Sequence, residues 1–311
     1  MDQPEKLNLL FVINPISGGK KKTDFEIAIK EHCESLPHDL NIVFLTGKND
    51  EELVQKEIKR LNPQRVVGVG GDGTITMVAK QLLGTGIPLG ILPAGSANGM
   101  ARELDIPENI TAALDIVLKG QVKCCDVIKI NKEICLHLSD IGLNAQLVKY
   151  FEESNMRGKL GYARMVFKVL LKRRVMRVVV ETANEQLKRN AVMLVLANAS
   201  KYGTGAVINP EGDLYDGLFE VIIVRKLAFS ELVKMWFRPQ PFNPKKIEVL
   251  HATAVTIETS HKVHFQVDGE YLGKVQKVTA AIQPRQLNIM LPWKEDEKET
   301  TAADKVHFLN A

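Results

Sequence analysis

The sequence has 311 residues, 45% of them hydrophobic and 25% charged, with a formal net charge of +4. That balance describes a soluble globular chain long enough for two domains; it is too weakly basic for a nucleic-acid-binding surface, yet it suits a phosphate-rich ligand or an anionic membrane face. Cys33, Cys124, Cys125 and Cys135 lack any CxxC spacing and read as reduced thiols of a cytoplasmic protein, and no apolar run approaches the ~20 residues of a membrane span.

Residues 7–13 are a short apolar run that stops at Asn14-Pro15, the pattern of a buried strand followed by a turn. Helical spacing over 24–35, a strand at 41–45, a helix at 50–60 with acids early and bases late, a strand at 65–69, a helix at 74–83 and a strand at 87–92 follow. Strands alternating with helices predict parallel βαβ units with a ligand at the carboxyl ends of the strands. Residues 1–123 therefore read as one α/β domain. After Lys123 the pattern changes: a hairpin around Asn131-Lys132, helices near 143–152 and 160–173, and strands at 175–182, 189–197, 218–224, 246–258, 262–267, 275–282 and 286–291. Successive strands with short turns predict an antiparallel sandwich over 124–289. Residues 290–305 are a candidate completion of the first domain, and 294–311 form a charged tail.

The sharpest local signal is Gly70-Gly71-Asp72-Gly73-Thr74, directly after a strand and before a helix. Glycines let the chain turn tightly and let a ligand approach, and the free N–H groups at a helix start hold phosphate oxygens. A plain turn needs only one glycine. Gly68, Gly70 and Gly73 satisfy GxGxxG, but where a dinucleotide site needs a ribose-binding acid the chain reads Leu89-Gly90-Ile91-Leu92. There is also no GxxxxGK[ST] segment. Two further loops, Asn14-Pro15-Ile16-Ser17-Gly18-Gly19-Lys20 and Pro93-Ala94-Gly95-Ser96-Ala97-Asn98-Gly99, follow neighbouring strands and converge on the same sheet edge in such a fold.

These three loops, in this order and spacing, resemble the diacylglycerol kinase catalytic domain of bacterial lipid kinases and sphingosine kinases. Counterparts continue at Arg157–Tyr162, Asn198–Gly203, Pro210–Gly217 and Val267-Asp268-Gly269-Glu270, so the resemblance spans about residues 7–292. It implies an N-terminal Rossmann-like three-layer α/β domain joined to a C-terminal antiparallel β-sandwich, as in NAD kinases and diacylglycerol kinases. It also implies transfer of the γ-phosphoryl group of ATP to a lipid hydroxyl. Gly70, Gly71, Asp72, Gly73 and Thr74 inherit the ATP phosphate contacts, with Thr46 and Ser96 also touching nucleotide. Asn14 and Ser17 inherit the adenosine side, and Gly18, Gly95 and Asn98 join the nucleotide set from the same loops. The Asp268-Gly269-Glu270 segment supplies the proposed catalytic acids, with Glu270 as general base; from the local residues alone, Asp268-Gly269 is a hairpin turn. Asp72 is the rival base or a ligand of phosphate-bridging Mg2+. Asp213, Asp216 and the carbonyl of Leu218 match a structural Mg2+ site, and two carboxylates with a backbone oxygen suit that hard cation.

The chain departs from the bacterial pattern at Gly99, where an Asp near the acceptor hydroxyl is usual, and at Thr76-Met77, where Asn-Glu is common. An NAD kinase-like enzyme and an inactive nucleotide- or lipid-binding regulator are the alternatives. The resemblance implies ATP, Mg2+ and a lipid at a membrane surface as partners and no nucleic acid, and it admits a homodimer. It also implies a cytoplasmic location with peripheral contact at the inner membrane face. The basic amphipathic stretch 157–174 fits such contact or an ordinary solvated helix face.

Overall fold

The run Leu9-Leu10-Phe11-Val12-Ile13 is inaccessible to solvent at every position, so the sheet it enters is covered on both faces. In the computed structural model, which describes residues 6–17, 22–153, 174–202, 205–228, 231, 234–235 and 242–293, the chain divides into two units. The first comprises Met1–Lys123 with Asn288–Ala311, the second Cys124–Leu287.

The first unit opens with β1 (Asn8–Ile13), α1 (Lys22–Cys33), β2 (Asp39–Phe44) and α2 (Asp50–Leu61). It continues with β3 (Arg65–Gly70), α3 (Asp72–Leu82), β4 (Leu89–Pro93), α4 (Gly99–Glu103) and α5 (Ile110–Lys119). The strands are parallel in the order β4-β3-β1-β2, and Ile289 adds a parallel neighbour to Leu89 of β4. α2 packs with α3 and α1 with α5, the pairs that cover the sheet. The sequence pattern did not resolve α4 and α5. α4 is too short to show a period, and α5 exposes only a thin polar stripe of Thr111, Asp115 and Lys119.

The second unit begins with β5 (Gln121–Ile130), whose first residues still belong to the first unit, then β6 (Glu133–Cys135), β7 (Leu138–Gly142) and α6 (Leu143–Glu153). β8 (Met176–Thr182), β9 (Gln186–Ala191), β10 (Met193–Ala197) and β11 (Phe219–Val224) follow. β12 (Ile247–Ala252), β13 (Ala254–Val267) and β14 (Glu270–Leu291) complete it, β14 ending in the first unit. One layer runs β12-β11-β10-β7 and ends on the C-terminal part of β13; the N-terminal part of β13 pairs with β8 and β14 in the other. Leu194, Leu196, Val221 and Ile223 point into the sandwich core with Val178, Val180 and Phe265. Their alternate neighbours Val195, Ala197, Ile222 and Val224 face a second apolar cluster with Leu143 and Ile208. Burial on both faces explains why these strands read as unbroken apolar runs.

Several strands differ from the sequence pattern. The stretch 189–197 divides at Val192, whose N–H donates to Val224 O (2.8 Å), and so feeds two layers. The stretch 246–258 divides at Thr253, whereas 254–267 is continuous. β14 likewise runs through a left-handed Arg285 (φ 52°) where two strands were expected. The expected helix at 160–173, the basic stretch apart from Arg174, and the charged tail lie outside the described residues.

Asp126 explains how the chain passes through Arg285. Its carboxylate, 2% exposed, accepts the N–H of Arg285 at 2.8 Å and that of Gly217 at 2.7 Å. Replacing Asp126 with Ala removes the acceptor of two part-buried N–H groups, a loss of roughly 1–3 kcal/mol. Urea unfolding should show that loss for Asp126→Ala, with Asp126→Asn recovering part of it; an Ala variant as stable as the parent would refute the tie.

Candidate active site

All four strands β1–β4 run the same way, so the loops after them share one rim. β1 leads outward to β2 and β3 leads the other way to β4, which opens a crevice between the ends of β1 and β3, where open α/β sheets hold ligands. Asn14 spans it. Its N–H donates to Val69 O (3.0 Å), its Nδ2 donates to Thr74 Oγ1 (3.1 Å), and its Oδ1 accepts the N–H of Ile16 (3.2 Å). The N–H of Ser17 donates to Asn14 O (3.3 Å). Gly18 lies outside the described residues.

α3 begins at an extended Gly71 (φ −87°, ψ −176°) with no side-chain cap. The N–H groups of its first turn, at Asp72, Gly73 and Thr74, have no partner within the helix and aim at the rim with the positive end of the helix dipole. The third loop presses against this start. Ala94 N–H donates to Gly70 O (2.8 Å), and a Cβ at Gly95 would stand 2.5 Å from Gly71 Cα, closer than any side chain allows. Asn98, left-handed (φ 52°) and 5% exposed, folds back on Gly95: its Oδ1 accepts Gly95 N–H (2.8 Å) and its Nδ2 donates to Gly95 O (3.0 Å). The Asp72 carboxylate crosses to the same loop and accepts the N–H groups of Gly99 (2.9 Å) and Met100 (3.0 Å), capping α4. Ser96 is exposed beside it. Asn14, Gly70, Gly71, Asp72, Thr74, Gly95 and Asn98 thus form one connected group. Thr46 shares the rim but is held elsewhere, its N–H donating to Asp50 Oδ1 (2.8 Å) at the start of α2.

In the second unit Asp268 (φ 48°) and Gly269 (φ 87°) are the two-residue turn joining β13 to β14, with Val267 opposite Glu270. The Asp268 carboxylate accepts N–H groups from Leu136 (2.8 Å), His137 (2.9 Å) and Leu138 (3.1 Å), and the Cys135 thiol (3.3 Å). Burial, then the Asp268 charge, pushes the Cys135 thiol well up. Asp268 is occupied as a brace, whereas Glu270 beside it is exposed. Asp213 and Asp216 are exposed too. Each uses one oxygen on its own loop, Asp213 accepting Tyr215 N–H (3.0 Å) and Asp216 accepting Leu218 N–H (2.9 Å). Among the described residues no group of three or more His, Cys, Asp or Glu side chains is placed to hold a metal. The smaller set of two carboxylates and the Leu218 carbonyl retains one oxygen of each carboxylate for a hard cation.

Sequence reasoning missed the buried polar residues of this unit. Glu220, 2% exposed, accepts from Asn209 Nδ2 and lies 3.0 Å from His251 Nδ1; burial raises its pKa against the pull of both partners. Asp140, 1% exposed, accepts Asn144 Nδ2 and Gln266 Nε2, both at 2.6 Å on Oδ2. Its other oxygen and the buried Tyr202 hydroxyl have no hydrogen-bond partner among the described residues. An acid inside the apolar run Leu136–Leu143 was the signal available in the sequence.

An α/β unit whose strand-end loops share one rim, followed by an antiparallel sandwich, defines the class of fold. The comparisons name the family. Residues 8–130 match the diacylglycerol kinase catalytic domain, and residues 139–291 match the YegS C-terminal NAD kinase beta sandwich-like domain. The chain belongs to the diacylglycerol kinase catalytic-domain family of lipid kinases. It is 24% identical to the diacylglycerol kinase of Bacillus subtilis over 296 residues, 92% of this chain and 97% of that one. It is 26% identical to the Staphylococcus saprophyticus diacylglycerol kinase over 274 residues, 85% and 89% of the two chains. The crystal structure of a Bacillus anthracis diacylglycerol kinase shares the fold with a TM-score of 0.74 at 20% identity, covering 91% of this chain and 96% of that one. An Archaeoglobus fulgidus NAD kinase in complex with ATP aligns with a TM-score of 0.54 at 14% identity, covering 95% and 97%. Among the described residues no helix is long and apolar enough to cross a membrane.

Burial pushes the Asp140 carboxyl from its ordinary 3.8 up to about 6, against the pull of the Asn144 and Gln266 amides. The folded pKa is the higher one, so this group's contribution to stability is full below pH ~4 and is lost as pH rises through ~6, a total of roughly 3 kcal/mol. Asn can accept the same two amides and removes the ionisation. Relative to Asp140→Asn, the parent should therefore lose stability in urea titrations between pH 4 and 7; parallel pH profiles would refute the assignment.

Proposed function

We propose that the chain is an ATP-dependent lipid kinase that passes the γ-phosphoryl group of ATP to the hydroxyl of diacylglycerol, a sphingoid base or a related lipid. The observation that carries this reading is the clasp of the three rim loops, which leaves the first-turn N–H groups of α3 for phosphate oxygens. Family membership supports it, and so does the exposure of Ser96 beside that turn.

Phosphoryl transfer asks the protein mainly for positioning and charge stabilisation. In this proposal Gly70–Thr74 and Ser96 hold the phosphates, Asn14, Ser17 and Thr46 line the nucleoside, and Glu270 accepts the proton of the lipid hydroxyl. Both Asp72 oxygens are engaged by Gly99 and Met100, so Asp72 acts by positioning α4 and the phosphate loops. Asp268 braces the turn that carries Glu270. Asp213, Asp216 and the Leu218 carbonyl would hold Mg2+, which there supplies a fixed positive charge that ties the loop together.

The test is turnover of radiolabelled ATP on a total lipid extract, with NAD as a parallel acceptor. Labelled lipid is expected, and Glu270→Gln should lose at least about 100-fold with an unchanged melting temperature, since the residue is exposed. Asp72→Asn should lose activity together with some stability. Label entering NAD alone, or ATP binding without turnover on any lipid, would reject the proposal; full activity in Glu270→Gln would remove that residue from the mechanism.

A further inference from the structure

The second unit contains a cavity of about 620 Å3 whose wall carries Lys149, Arg174, Lys262, Lys274, His261 and His264 and, among the described residues, no acidic side chain. Such a gathering of like charge opposes folding unless something answers it. Arg174, Lys262 and Lys274 are exposed and have no ion-pair partner among the described residues. Two features of the backbone create the convergence. The β13–β14 register slips between Glu258 and Val263, a break that re-aims His261 and Lys262. Beyond it His264 stands directly across from Lys274. From α6, Lys149 reaches over the Tyr271 ring, 5.8 Å from its centre, and the Tyr271 hydroxyl is fixed 2.8 Å from His264 Nδ1.

Leu143, Met176, Val192 and Val263 supply aliphatic surface to the same wall, with Gln146 and Tyr150 beside them. A wall that combines cationic and aliphatic side chains matches a molecule that is anionic at one end and greasy next to it. We propose that this cavity binds the phosphate headgroup of an anionic phospholipid, with the start of an acyl chain along the aliphatic wall. None of the cluster's residues is assigned to phosphoryl transfer, so the proposal stands whether or not that assignment holds. A free phosphate could meet the same cations but would leave the aliphatic wall unused, and a zwitterionic lipid would bring its own cation against them.

The test titrates the full chain, by calorimetry below micelle formation, with dihexanoyl phosphatidylglycerol, dihexanoyl phosphatidylcholine and inorganic phosphate. The expected result is binding of phosphatidylglycerol at least tenfold tighter than of either other probe, weakened at least tenfold in the Lys262→Gln/Lys274→Gln double variant. Both lysines are exposed, so an unchanged melting temperature should accompany the loss. Equal affinity for phosphatidylcholine, inorganic phosphate binding as tightly as the lipid, or undiminished lipid binding by the double variant would each overturn it. A Lys262→Arg/Lys274→Arg protein, which keeps the charge, should bind like the parent, and loss there would overturn the electrostatic basis.

Discussion

The contact between the backbones of Gly71 and Gly95 is the constraint on which the rim depends. Gly95 has no room for a side chain, since a Cβ there would reach 2.5 Å from Gly71 Cα, and a Cβ on Gly71 would stand a tight 3.2 Å from Gly95 Cα. The approach brings the start of α3 and the loop after β4 together as bare main chain. The polar side chains around it then serve the backbone. Asn98 holds Gly95, Asp72 holds Gly99 and Met100, and Asn14 holds Thr74. What remains for a ligand is a row of amides at a helix start, a favourable setting for phosphate because it needs no reorganisation when charge arrives.

Acids in the β-rich unit sort by exposure. Asp126, Asp140 and Glu220 are buried, and together with Asp268 each is engaged by N–H groups, amides or a histidine. A buried carboxylate left without donors would be very costly, so these residues act as braces. Asp213, Asp216 and Glu270 are exposed and have oxygens to spare for a cation or a proton. The division separates acids that shape the unit from acids suited to chemistry, although both kinds occur in the same short segments.

Much of this was legible in the sequence. Parallel βαβ units show as alternating periods, because the two elements bury their faces at different spacings. The turns at Asn131-Lys132 and Asp268-Gly269 are readable because Asn, Asp and Gly tolerate positive φ, as Asn131 (54°), Asp268 (48°) and Gly269 (87°) do. Strand breaks at Val192 and Thr253, and the passage of β14 through Arg285, were not legible, since each depends on a partner far along the chain, Val224 in one case and Asp126 in another.

By itself the sequence determined the fold class and the positions of the glycine-rich strand-end loops, because hydrophobic period and the conformational freedom of glycine are local properties. Only the tertiary structure decided that Asp72 and Asp268 spend their oxygens on backbone N–H groups, that Asp140 is a buried acid with a raised pKa, and that lysines from α6, β13 and β14 meet in one cavity. Those facts depend on which groups surround a side chain, and residues from 27 to more than a hundred positions away supply them.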